Sequence, residues 1–290
     1  MKKILGLAAK ARSGKDTAAS ILLTHPQVAA YALADPLKAG CQALFALTPE
    51  QTWDDTAKEK TLTAWGRSPR EFFQLVGTEW MRTHDPLHWL KRADREINGE
   101  VLPPSPLSVE QTIDPDAPFI QAAQAFFGLS DSQAWDIAQR DVEDAFWGLS
   151  VNAMIELVKK LTLRDFPHFV AQRAAHSDLS QHDLGKNITA PKLDLENKEV
   201  IIIKDIRFEN EAEYIRNLNG EIWHVIRHHL EQVKQHSSEA GIEVAEGDIV
   251  IENNGSLAEY KHAIENAWST LIQKIELQNN NSDSTSQELP

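Results

Sequence analysis

The sequence predicts an α/β fold, a doubly wound parallel sheet with a largely helical insertion, and three observations predict it. A short apolar run at the N-terminus, "KKILGLA", leads into a turn bearing glycine and lysine, "AKARSGKDT" at 9–17, and then into the helical pattern of "GKDTAASILL". Most other strand-like runs lie near the two ends of the chain, "AAYALA" at 29–34, "EVIIIKDI" at 199–206, "EIWHVIR" at 221–227 and "GDIVIEN" at 247–253. The stretch between them reads mainly as helix.

Each element has its own signal. Residues 2–8 have the length and composition of a buried parallel strand. Thr17, Ala18, Ile21 and Leu22 fall at helical spacing before Pro26. The second strand, placed beside the first, leads into a helical pattern at 35–47 with Leu37, Cys41, Leu44 and Phe45 on one side. A helix over 69–83 opens with Pro69 at a favourable first-turn position, and another begins at "DPLHWLKRADREI". The Pro-rich, polar residues 102–118 read as a linker, followed by a helical block from 119 to 175 and a second polar stretch. After the strand at 199–206, a helix over 208–219 closes at Asn219-Gly220, and a last helix starts at Ser256. The polar tail 277–290 has little to bury and is expected to be disordered.

The turn at 9–17 resembles a phosphate-binding loop, G-x-x-x-x-G-K-[ST], with two departures. Ala9 replaces the first glycine, and Asp16 replaces the hydroxyl residue that commonly holds Mg²⁺. Between a strand and a helix, backbone N–H groups and the positive end of the helix dipole converge on one point, and Lys15 adds a cation for the β/γ-phosphates. Gly14 leaves room for a phosphate. Arg12 and Ser13 lie in the loop itself. Asp16 supplies a hard oxygen for Mg²⁺, directly or through its water, and Thr17 supplies a hydroxyl, so the two are the candidate metal ligands. Asp16 could instead be a helix N-terminal acid complementing the dipole.

Composition narrows the function classes. Of 290 residues, 43 are acidic and 29 basic, for a net charge of −14, a surface that repels phosphodiester backbones and argues against a nucleic-acid binder. Cys41 is the only cysteine, which suits a reducing cytoplasm. The N-terminal apolar run stops at Lys10 and Arg12, and nothing has the length of a membrane span.

Five fragments, "RSGKDT", "ADPLK", "PREFFQLVGTEW", "KDIRFENEAEYIRNLNGEIWHVIR" and "HSSEAGI…GDIVIENNGSLAE", occur in this order. In that order they resemble the bacteriophage-type deoxynucleoside monophosphate kinases, P-loop enzymes that use ATP and Mg²⁺. The likeness covers roughly 1–95 and 198–275. It implies a kinase core formed by 1–99 and 198–276, with the monophosphate-binding helices included and 100–197 as a helical insertion. It also implies Arg70, Gly77 and Thr78 on the monophosphate side, Arg207 near the phosphates, and a homodimer. A kinase of another phosphorylated metabolite, such as dephospho-coenzyme A, or a nucleotide-binding protein without catalysis are the alternatives.

The basic residues such chemistry needs stand at element ends. Lys38 follows "ADP" after the second strand, Arg67 and Arg70 flank Pro69 at a helix start, and Arg207 follows a strand whose carboxyl end carries Asp205, a candidate Mg²⁺-water carboxylate. Lys15, Arg70, Asp205 and Arg207 are thus the candidate catalytic groups. Lys38, Arg67, Arg70, Gly77, Thr78 and Trp89 form the candidate acceptor site. Each has a plainer reading: Lys38 and Arg67 as surface cations, Arg70 as the partner of a nearby acid, Gly77 as a packing glycine, Asp205 as a strand-end cap, and the tryptophans as core. His236, in "QHSSEAG", shows no metal spacing and is read as part of a loop near the nucleotide.

Finally, 45–82 aligns without a gap on 127–164. Phe45, Leu47, Gln51, Trp53, Asp54, Trp65, Gly66, Ser68, Leu75, Val76 and Arg82 meet identical residues. Arg67, Arg70 and Gly77 meet Leu149, Asn152 and Lys159. The pattern points to a duplicated helical hairpin, a degenerate repeat of about 41–93 that kept its packing residues and lost its arginines.

Overall fold

Strand β1 (Lys3–Ala9), helix α1 (Lys15–Leu22) and strand β2 (Val28–Tyr31) open the chain. A run of helices follows: α2 (Ala34–Phe45), α3 (Pro49–Trp53), α4 (Pro69–Gln74) continued by a π-helical stretch Leu75–Arg82, α5 (His88–Asn98), α6 (Val109–Ile113), α7 (Ala117–Phe127) and α8 (Asp131–Trp135). A two-residue hairpin, β3 (Glu143–Asp144) and β4 (Leu149–Ser150), leads to α9 (Val151–Asp165) and α10 (Phe169–Ser180). The chain then returns to β5 (Val200–Ile206), α11 (Glu209–Asn217), β6 (Glu221–Ile226), β7 (Ile249–Glu252) and α12 (Leu257–Thr285). This computed structural model describes residues 2–10, 12–99, 104–180, 194–228 and 242–285, without the side chains of 178–180, 205 and 279–285.

The chain divides into two compact units, a sheet unit of residues 1–32 with 193–290 and a helical unit of 33–192. The boundary therefore groups α2–α5 with the later helices, where the sequence reading drew its line at residue 100.

In the sheet unit five parallel strands stand in the order β2-β5-β1-β6-β7. Side chains alternate along β1. Leu5 and Leu7 pack with Ala18 and Leu22 of α1 and Tyr260, Ile264 and Trp268 of α12. On the other face Gly6 lies so close to β6 and α11 that a Cβ there would stand 2.6 Å from Ile222 and 3.1 Å from Ile215. Helices thus cover both faces, as a doubly wound sheet requires.

One expectation is corrected: β2 does not lie beside β1. β5 takes that place, because its Val200, Ile201, Ile202, Ile203 and Ile206 are all buried and so belong in the sheet interior, while the short, alanine-containing β2 takes the edge. The tail differs too, since α12 runs on to Thr285.

The helical unit has its own core, built on an aromatic stack of Phe45, Trp65, Phe72, Trp80 and Phe166, with Phe45 and Phe72 ring centroids 4.0 Å apart. Ser68 and Thr48 each close a capping box, with Glu71 and Gln51, at the starts of α4 and α3.

Candidate functional site

The phosphate-loop motif sits between the carboxyl end of β1, the central strand of the sheet, and the first turn of α1. Ala9 is still part of β1, paired with Val225. Among the described residues the positive-φ non-glycines are Arg12, Ala46, Asn197 and Asn219, so the alanine at the first glycine position is unstrained. The left-handed turn falls instead on Arg12 (φ 64) and Gly14 (φ 104). Gly14 is also the N-cap of α1, where it offers no side-chain cap. A Cβ at Gly14 would overlap Asn253 Nδ2 and crowd the Tyr260 ring.

Two residues that sequence reasoning assigned no role hold this loop. Asn253 Nδ2 donates to the Ser13 carbonyl at 2.9 Å, and the Tyr260 hydroxyl donates to the Gly14 carbonyl at 3.0 Å. In a trans peptide the following N–H points opposite to the carbonyl. Tying down those two carbonyls therefore turns the N–H groups of Gly14 and Lys15 away from Asn253 and Tyr260. Burial pushes the Tyr260 phenol up to about 12, so it stays a donor. The result is a cradle of amides at a helix start that lacks a side-chain cap, which fits an anion.

Asp16 and Thr17 are exposed on the first turn of α1, and a carboxylate and a hydroxyl are oxygen donors of the kind a hard cation takes. On the neighbouring strand β5 advances three residues, Ile203 to Ile206, while β1 advances two, Gly6 to Ala8. This bulge carries Asp205 to the carboxyl end of the sheet beside the loop. Arg207 follows, exposed, its backbone N–H bonded to Glu211 at 2.9 Å. The sheet unit thus gathers residues 12–17, Asp205 and Arg207 at one edge.

On the β6 side of the loop a cavity of about 340 Å³ is lined by Ala9, Lys10, Ser13, His224, Arg227 and His228. His224 is buried and pairs with Asp248 at 2.8 Å. Burial works against the Asp248 carboxylate, but hydrogen bonds from Arg216, the Ala245 N–H and His224 hold it below the usual range. The segment containing His236 lies outside the described residues.

The remaining candidates all belong to the helical unit. Lys38 stands within α2, not at a strand end, with its ammonium 5.1 Å from the Trp53 ring centre. The Arg67 guanidinium lies 5.7 Å from the Phe166 ring centre. Arg70, in the first turn of α4, pairs with Glu59 at 2.7 Å, both about half exposed. Thr78 is exposed. Gly77 and Trp89 are buried together: the Trp89 indole N–H donates to the Gly77 carbonyl at 3.0 Å, and a Cβ on Gly77 would stand 2.8 Å from Leu37. Those two serve the core.

A family model described as deoxynucleotide monophosphate kinase matches residues 186–264. The chain is similar to the deoxynucleotide monophosphate kinases. It is 37% identical over 83 residues to a putative deoxynucleotide monophosphate kinase of Acanthamoeba polyphaga mimivirus, covering 28% of this chain and 43% of that protein. It is 39% identical over 64 residues to the deoxynucleotide monophosphate kinase of Escherichia phage RB69, covering 22% and 26%. The enzyme of Enterobacteria phage T4 is 34% identical over 70 residues, covering 24% and 29%. These matches span less than half the length of each relative. The residues of the family model include Asp205, Arg207, Asn253 and Tyr260, whereas the loop at 9–17 lies outside it. No helix among the described residues is long and apolar enough to cross a membrane.

Proposed function

We propose that this chain is a phosphotransferase that moves the γ-phosphoryl group of ATP to a deoxynucleoside 5′-monophosphate. The observation that carries the reading is the loop between β1 and α1, with its left-handed Gly14, its two anchored carbonyls and its cap-free helix start. The sheet that presents it and the family likeness of residues 186–264 support it.

In this reading the Gly14 and Lys15 N–H groups and the Lys15 ammonium hold the β- and γ-phosphates. Asp16 and Thr17 would hold Mg²⁺, which when bound would neutralise phosphate charge. Asp205 would accept hydrogen bonds from water bound to that ion, and Arg207 would balance charge on the donor phosphates. The bond from the γ-phosphorus to the β-phosphate oxygen breaks, a bond to an acceptor phosphate oxygen forms, and ADP and a deoxynucleoside diphosphate leave. Such transfer needs positioning and charge neutralisation more than covalent help.

Acceptor recognition falls to the cations of the helical unit, Lys38, Arg67 and Arg70. The Arg70–Glu59 pair is a surface pair of the kind worth about 0 to 1 kcal/mol, so a phosphate dianion can take its place. ADP release measured with ATP, Mg²⁺ and a panel of dGMP, dTMP, dCMP, dAMP and dephospho-coenzyme A tests the assignment. Turnover with one or more deoxynucleotides is expected. Turnover with dephospho-coenzyme A alone, or ATP binding without ADP formation, contradicts it.

A further inference from the structure

The helical unit contains the same local structure twice. Thr48 and Ser130 cap α3 and α8 through boxes closed by Gln51 and Gln133. Leu62 bridges to Arg67 as Asp144 pairs with Leu149, and the glycines of the two turns, Gly66 and Gly148, both have φ 64. Trp65 meets Phe45 edge-on at 5.3 Å, and Trp147 meets Phe127 edge-on at 5.2 Å. Arg70 bonds Glu59, and at the matched positions Asn152 bonds Asp141. These matches are each offset by 82 residues. Beyond the π-helical stretch the offset becomes 81, so that α5 matches α10, His88 matches Phe169 and Arg92 matches Arg173.

The contacts between the two copies are reciprocal. Arg92 of the first copy donates to the Ala125 carbonyl of the second at 2.8 Å. Arg173 of the second donates to the Ala43 carbonyl of the first at 3.2 Å, and Ala43 matches Ala125. His88 of the first copy packs 5.0 Å from both Phe127 and Trp147 of the second. At the matched place Phe169 of the second packs 6.4 and 5.9 Å from Phe45 and Trp65 of the first. α2 lies against its own counterpart α7, and Gly40 is so close to Phe126 that a Cβ there would overlap the ring. Each copy therefore lends its last helix to the aromatic core of the other, the pattern of an isologous two-fold pair with exchanged elements.

We propose that residues 116–180 stand in for a second subunit: the α2 face of the first copy is a self-association surface whose partner, a second copy of the same hairpin, is carried within this chain. A one-copy chain would need another molecule to complete the core that α5 and α10 complete here. This holds whether or not the chain is a kinase, because it rests on packing within the helical unit alone.

Sedimentation equilibrium and amide hydrogen exchange on the full-length chain and on Gly40→Val test it. The expected mass is that of one chain, 32.5 kDa, and Gly40→Val should speed exchange about tenfold or more in α2, α5, α7 and α10 together, with β1, β5 and β6 still protected. A dimer that survives Gly40→Val uses another face and agrees with the proposal. Release confined to α2 and α4, with α7–α10 unchanged, would overturn it. So would a dimer that Gly40→Val splits while the sheet stays protected. Should Gly40→Val yield no folded chain, Arg173→Ala provides the same reading: faster exchange in the last turn of α2, in the opposite copy, is expected. Faster exchange only within α10 overturns the proposal.

Discussion

The two hairpins of the helical unit share a backbone and differ in charge. Where the first has Lys38, Arg67 and Arg70, the second has Ile120, Leu149 and Asn152. The first also holds one residue more between Leu75 and His88 than the second holds between Leu157 and Phe169, and it is π-helical over Leu75–Arg82 where α9 stays regular. Caps, turns and edge-on aromatics are common to both, so they answer to packing. The cations and the π-helical stretch belong to one copy, so packing does not require them, and such stretches often mark functional sites.

The largest expected effect tests the shared packing. Trp65→Ala should destabilise the fold by about 3 to 5 kcal/mol, since the ring is buried in the aromatic stack. Trp147→Ala should cost less, because that ring is only partly buried. Denaturant unfolding of both variants measures the difference, and equal costs would mean that exposure does not separate the copies.

Lys15→Ala is the control that separates donor chemistry from either copy. It should lower kcat by on the order of a hundred- to a thousandfold with an unchanged unfolding midpoint. Near-normal turnover would remove the loop from the proposed reaction.

The third prediction uses the one titratable ring in the matched aromatic positions. Burial holds the His88 imidazole down at about 3, and its Nε2 bonds the Phe126 carbonyl at 3.0 Å, whereas the matched Phe169 cannot titrate. Between about pH 6.5 and 3 the unfolded chain binds a proton at His88 that the folded chain does not. Stability from this source is therefore complete above about pH 6.5 and declines as pH falls, by roughly 2 kcal/mol at pH 5. Unfolding measured from pH 7 to 5 should show a shallower decline in His88→Phe than in the native chain. The smallest effect is expected from Glu59→Gln, which releases Arg70 from its partner. It should lower KM for the acceptor by about twofold, as befits a surface pair, and a raised KM would mean that Glu59 helps position the acceptor.

Much of this was legible in the sequence, because its signals are local. The loop at 9–17, the strand and helix flanking it and the repeated Trp-Gly turns each lie within a few residues of chain. What stayed hidden depends on distant partners. Asn253 and Tyr260 act on carbonyls 240 and 246 residues away in sequence, and the fragment "GDIVIENNGSLAE" reaches Asn253 but stops one residue short of Tyr260. The place of β5 beside β1 depends on burial of both its faces, which an apolar run suggests without naming its neighbour. Trp89 is an acceptor-site candidate from its place near the arginine-bearing helix, and the bond from its indole N–H to the Gly77 carbonyl is a contact that its own segment does not reveal. The reciprocal arginines Arg92 and Arg173 escaped the ungapped alignment because the offset shifts by one residue before them.

The most direct test compares matched positions in one assay. kcat/KM for the deoxynucleoside monophosphate should fall in Arg70→Ala by an amount equivalent to about 2 to 4 kcal/mol, the scale of a lost charge-assisted phosphate contact, and should be almost unchanged in Asn152→Ala, with both variants as stable as the native chain to within about 1 kcal/mol. A loss of acceptor efficiency in Asn152→Ala, or none in Arg70→Ala, would contradict the assignment of the acceptor to the first copy.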